Sequence, residues 1–115
     1  MSDKPVAWLW TARRDIRRFP ADARRRCGFQ LRKVQQGFDP DDWKPMTTIG
    51  PGVREIRIRT ELAHRVFYVA TFDEAVYVLH GFEKRTRKTA PHDLQLARDR
   101  YRALVKKRAD DARKK

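Results

Sequence analysis

Four cationic side chains at the borders of strand-like segments are the residues of this sequence best suited to chemistry. Arg57 lies on the charged side of an alternating stretch, Arg65 opens the next stretch beside Phe67 and Val69, and Lys84 and Arg85 close a third. A guanidinium can grip phosphate through two parallel hydrogen bonds, and a lysine crowded by other cations loses its proton more readily than an isolated one. Adjacent antiparallel strands would gather the four onto one concave basic surface, with positive charge set where negative charge develops during a reaction. The alternative for each is a solvated position. Trp43 and Lys44, in a long loop, could stack a base and hold a phosphate, with a loop-anchoring Trp as the alternative.

The other reactive residue types are sparse. His80 shares a strand face with Val76, Val78 and Phe82, which reads first as a hydrogen-bonded core position. His64 and His92 stand at element starts, as caps or surface groups. Tyr68 and Tyr77 read as core aromatics, and Cys27 falls on an apolar helical stripe and reads as packing. Three unclustered histidines and one cysteine match no metal-ligand spacing, so neither a metal site nor a cofactor is expected.

The elements that must position these residues follow from periodicity. Val6 to Trp10 is a short apolar run that suits a first or edge strand. Ala12, Ile16 and Phe19 recur at helical spacing up to Pro20, and Ala23, Cys27, Leu31 and Val34 form a second stripe closed by Gly37 as a left-handed cap. Together they make a helical hairpin with arginines on its outer face. Residues 38–52 carry three of the six prolines and read as loop. In Val53–Arg59, Ile56 and Ile58 alternate with Glu55, Arg57 and Arg59, so one face is buried and the other charged. His64–Phe72 and Ala75–Phe82 are apolar on both faces, as central strands are, with Asp73 and Glu74 as a tight hairpin turn. Pro91 and Asp93 suit the first turn of a last helix, in which Leu94, Ala97, Tyr101, Leu104 and Val105 follow helical spacing. The order β-α-α-β-β-β-α predicts an α+β fold: an antiparallel twisted sheet with helices packed against it.

The chain of 115 residues is read as one domain. Lys plus Arg number 28 against 15 Asp plus Glu, a formal charge of +13, which favours a polyanionic or acidic partner. Arg13 to Lys33 alone hold nine basic residues and two acidic ones, Lys84–Lys88 reads KRTRK, and the block from about 106 to 115 reads as a flexible basic tail. The aromatic content is too high for disorder. No apolar run approaches the roughly 18–20 residues that cross a bilayer, and the first ten residues do not resemble a signal peptide, so a cytoplasmic protein without membrane contact is expected.

GPGVREIRI, then HRVFYVATF, then AVYVLHGFEKRTRKTAPHDLQLARDRY resemble the RelE/ParE toxin superfamily in its HigB-like, phage-derived branch, over about Trp8 to Leu104. The most specific part is the last-strand string V-Y-V-L-H-x-F-x-K-[KR]-T-x-K-T followed by a helix carrying A-x-x-R-Y. The resemblance implies the toxin of a type II toxin–antitoxin module. It further implies a ribosome-dependent mRNA endoribonuclease acting by attack of a ribose 2′-OH on its neighbouring phosphate. Arg57, Arg65, Lys84 and Arg85 would then be catalytic, and Lys44, Arg54, Arg59, His80, Arg87 and Lys88 would bind RNA. The partners implied are mRNA, the ribosome and a cognate antitoxin with a helix-turn-helix domain, for which Arg17, Arg24 and Arg25 on the hairpin are the expected contacts. ParE-type relatives inhibit DNA gyrase instead, by protein binding, and a non-toxic nucleic-acid-binding relative is a third reading.

Overall fold

In a computed structural model, which describes residues 3–114, the chain runs β1 (Val6–Trp8), α1 (Ala12–Arg17), α2 (Ala21–Gln35), β2 (Trp43–Pro45), β3 (Val53–Arg59), β4 (Ala63–Val69), β5 (Val76–Glu83) and α3 (Pro91–Arg113). The five strands form one sheet in the order β1-β5-β4-β3-β2. The expected α+β class holds, but the sheet is mixed: β1 pairs with β5 in parallel, Val6 opposite Val76. A parallel pair needs a crossover connection. The helical hairpin supplies it, carrying the chain over the sheet to its far edge before four strands meander back to β1's side.

Two further expectations are corrected. The segment 38–52, read as loop, contains β2, which pairs antiparallel with β3, Lys44 opposite Glu55. It lies at the sheet edge, where Pro45 interrupts no further ladder. The connection between β4 and β5 spans residues 70–75, not the two residues Asp73 and Glu74. Phe72 is drawn away from the strand to pack edge-on against Tyr77 and under the Arg108 guanidinium, 3.8 Å from its ring centroid. A smaller shift is the end of β1 at Trp8, ahead of Trp10 with φ 51°, whereas Gly37 takes φ 93° just after α2, as expected of a left-handed cap. Residues 106–113, expected within a flexible tail, continue α3 as helix; Lys115 lies outside the described residues.

The sheet separates two cores. On one face Ala12, Ile16, Phe19, Ala23, Cys27 and Leu31 of the hairpin bury Ile56, Ile58, Val66, Val76 and Val78. On the other, Ala97 and Leu104 of α3 pack on Phe67, Val69 and Leu79. Burial pushes the Cys27 thiol up to about 12, so it packs as a neutral apolar group. Arg100, 8% exposed, pins this second layer: it donates to the Leu79 carbonyl at 2.7 Å and to Thr11 Oγ1 at 2.8 Å. Because α3 lies along β5, the ends of β3 and β4 on its face are left without a helix above them.

Candidate functional site

Strand register decides which charges meet. Directly opposed residues in neighbouring strands project from the same face. Lys44 opposes Glu55, Glu55 opposes Phe67, Arg57 opposes Arg65, and Arg65 opposes Phe82. Lys44, Glu55, Arg57 and Arg65 therefore share the α3 face, at the part α3 leaves open. Lys84 follows in phase two residues after Phe82, its backbone N–H bonded to the Ala63 carbonyl at 2.8 Å.

At the centre is a residue that sequence reasoning treated as one more solvated charge. Glu55 is 1% exposed. Its Oε1 lies 3.3 Å from Arg57 Nε and 3.5 Å from Arg65 Nε, while Oε2 has no hydrogen-bond partner among the described residues. Arg65 is buried as well and donates from Nη1 to the His64 carbonyl at 3.1 Å. A carboxylate and a guanidinium taken out of water cost several kcal/mol each unless they face one another, and here a single carboxylate faces two guanidiniums. Burial pulls the Arg65 pKa down, and the Glu55 charge opposes that. Burial likewise holds Lys84 below the ordinary lysine value, helped by the charges of Arg65, Lys44 and Arg57 and opposed by Glu55. Four cations thus surround one acid, with Lys44 exposed, Arg57 and Lys84 half-buried, and Arg65 forming the floor. Beside Lys84, a cavity of about 220 Å³ is lined by Thr86, Lys88 and Asp93. Such an array can take an oxyanion and set a carboxylate against a neighbouring proton.

The other expected residues are not all brought there. Arg54 projects from the opposite, hairpin face: it opposes Tyr68, stacks 3.9 Å over the Trp43 ring and donates to Asp39 Oδ1 at 2.9 Å. Trp43 is accordingly an anchor for Arg54. Arg85 is largely exposed, donates from Nε to Glu83 Oε2 at 2.8 Å and lines the small cavity beside Lys84. Arg59, at the end of β3, is exposed with its Nε 3.8 Å from Asp42 Oδ2. Arg87 and Lys88 are exposed in the connection to α3. His80 is 6% exposed, shares a 2.7 Å hydrogen bond between Nε2 and Asp93 Oδ1, and stacks on Phe82 at 5.1 Å. Burial lowers its pKa against the opposing pull of Asp93. That is the hydrogen-bonded core position. Arg17, Arg24 and Arg25 are exposed on the hairpin, Arg24 donating to the Arg17 carbonyl at 3.1 Å.

Among the described residues no group of His, Cys, Asp and Glu is placed to hold a metal ion. No helix among them is long and apolar enough to cross a membrane.

A family model described as phage derived protein Gp49-like (DUF891) matches residues 14–102, which include α1 from its third residue, α2, the strands β2 to β5 and about the first half of α3. No curated protein matches the chain at a significant level.

Proposed function

The chain belongs to the phage-derived Gp49-like family, within the RelE/ParE-like toxin superfamily, and from that premise we propose that it is a HigB-like toxin that cleaves mRNA on the ribosome. The observation that carries this reading is the buried Glu55 between Arg57 and Arg65, with Lys44 and Lys84 around them. A ribonuclease working through the ribose 2′-OH needs a base for that hydroxyl, cations for the phosphorane and an acid for the leaving oxygen. All three residue types converge on this face.

In this reading the scissile phosphate draws the half-exposed Arg57 off Glu55. The freed carboxylate takes the 2′-OH proton as the 2′-oxygen bonds to phosphorus. Arg57 and Arg65 meet the extra charge on the pentacoordinate phosphorus. Lys84, whose proton is held less tightly than usual, delivers it to the 5′-oxygen as the P–O5′ bond breaks. The products are a 2′,3′-cyclic phosphate and a 5′-hydroxyl, and no metal or cofactor enters. The antitoxin, a partner with a helix-turn-helix domain, binds the exposed arginines of the hairpin, where opposite charge favours it. Lys44, and the exposed Arg59, Arg87 and Lys88 around the site, bind flanking phosphates.

Induced expression tests the reading. Growth and translation should stop with the wild-type chain and continue with Arg65→Ala or Lys84→Ala at equal folded protein. Growth arrest with undiminished translation and collapsed DNA supercoiling would assign the chain to the gyrase-inhibiting class instead.

A further inference from the structure

β2 pairs with β3 only as far as Trp43 opposite Ile56, so beyond Ile56 no strand covers the edge of β3, where the Arg57 N–H is bonded to the Asp42 carbonyl at 2.9 Å. Against this edge, α2 sets Phe29, Arg25 and Arg26, enclosing a cavity of about 490 Å³ completed by Arg57, Arg59 and Asp42. Its size lies within the ~300–1,000 Å³ of pockets that hold small ligands. Phe29 is 62% exposed, an aromatic face left open to solvent inside a ring of guanidiniums. Arg26 donates to the Arg59 carbonyl at 2.7 Å, which closes the edge against an added strand.

Arg57 belongs to this cavity and to the cluster around Glu55 alike, so the two are one continuous surface around the edge of β3. An acidic peptide would meet Asp41 and Asp42 there. A nucleobase is neutral, stacks on Phe29 and leaves its phosphates to the arginines. Asp41 is already engaged by Lys33 and by Gln30. Asp42 is not: its oxygens lie 3.8 Å from Arg57 Nη1 and 3.8 Å from Arg59 Nε, close enough for charge pairing and too far for hydrogen bonds. A carboxylate with both oxygens free accepts a side-by-side pair of donors. Among the bases, guanine presents such a pair, its N1–H and N2–H.

We propose that this cavity is a subsite for a guanine of single-stranded RNA next to the cleaved phosphate, stacked on Phe29 and held by Asp42. The subsite rests on the RNA-cleaving reading above and names a preference for it. Fluorescence anisotropy with labelled 2′-O-methyl RNA hexamers, which lack the attacking hydroxyl, measures it on the full chain. A uridine hexamer carrying one guanosine should bind more tightly than the same hexamer carrying adenosine. Phe29→Ala should weaken the guanosine hexamer by about 5- to 150-fold, the range of one lost base stack, and Phe29→Tyr should restore it. Asp42→Asn should bring the guanosine and adenosine hexamers to equal affinity. Unchanged binding in Phe29→Ala, or equal wild-type affinity for the two hexamers, overturns the subsite. So does displacement of the RNA by an acidic peptide whose own binding depends on Phe29, which would make the cavity a protein contact. Failure of the cleavage reading is seen separately, as transcript cleavage that survives Arg65→Ala whatever the hexamers do.

Discussion

Replacing Glu55 separates the two things this side chain can do. Glu55→Ala leaves the guanidinium of Arg65, 5% exposed as a residue, without its counter-ion, with only the His64 carbonyl to accept from it. Breaking a buried ion pair from one side costs about 3–5 kcal/mol, a large part of the ~5–15 kcal/mol that holds a domain folded. The contact with Arg57, whose side chain is 30% exposed, adds little, about 0.2–1 kcal/mol after solvent screening. Glu55→Gln keeps the shape and one acceptor oxygen, so its cost falls to about 1–3 kcal/mol. The amide cannot take a proton, however, and loss of a general base lowers the rate by about 10²–10⁴. Single-turnover cleavage of a ribosome-bound message, normalised to the folded fraction from circular dichroism, should therefore drop by at least about a hundredfold in Glu55→Gln. Its thermal midpoint should fall less than that of Glu55→Ala. A Gln variant that melts lower yet cleaves within about tenfold of the wild type would refute the assignment of the base. Glu55 would then be a positioning residue for Arg65.

Three further outcomes follow from the same geometry. Burial lowers the pKa of both His64 and His80 from 6.5, so the fold favours the neutral rings; their contribution is complete above about pH 6.5 and is lost as pH falls through the lowered values, which thermal melts between about pH 7 and pH 5 should record as falling stability. Arg100→Ala removes two hydrogen bonds from a buried cation, each worth about 1.5–3 kcal/mol, and urea unfolding should show a loss of roughly that size per bond. Lys84→Ala should lower cleavage by about 10²–10³ while Arg85→Ala, which removes an exposed partner of Glu83, changes it by no more than a few-fold in the same assay.

Most of the fold was legible because periodicity reports burial. Ile56 and Ile58, the Ala23-to-Val34 stripe and Leu94, Ala97, Tyr101 and Leu104 of the last helix mark faces that are packed in the structure, whereas Val105, read as part of that last stripe, is 42% exposed. β2 was not legible, because three residues ending on Pro45 carry no alternation. Nor was the parallel pairing of β1, since that choice is made by an edge reached only after the rest of the chain has crossed the sheet. The β4–β5 connection was read as too short because Ala70 and Phe72 are apolar, and apolar residues that pack outside a strand look like strand. At the site, Arg57, Arg65 and Lys84 stood out as cations bordering apolar strands. Arg54 could have been set apart by parity alone, being in phase with Ile56 and Ile58. Glu55 could not be singled out, because alternation reports which face a residue is on and not what roofs that face. Glu55 is covered by side chains on two strands, Arg57 two residues along β3 and Arg65 diagonally across on β4.

The chemistry of the cut ends distinguishes attack by the ribose 2′-OH from any other way of stopping translation. In a purified translation system supplied with one defined message, breaks in the translated region should carry 2′,3′-cyclic phosphate on one side and 5′-hydroxyl on the other. They should appear with the wild-type chain and be absent with Arg65→Ala. An intact message under full translation arrest, or breaks bearing 5′-phosphate, would contradict attack by the 2′-OH.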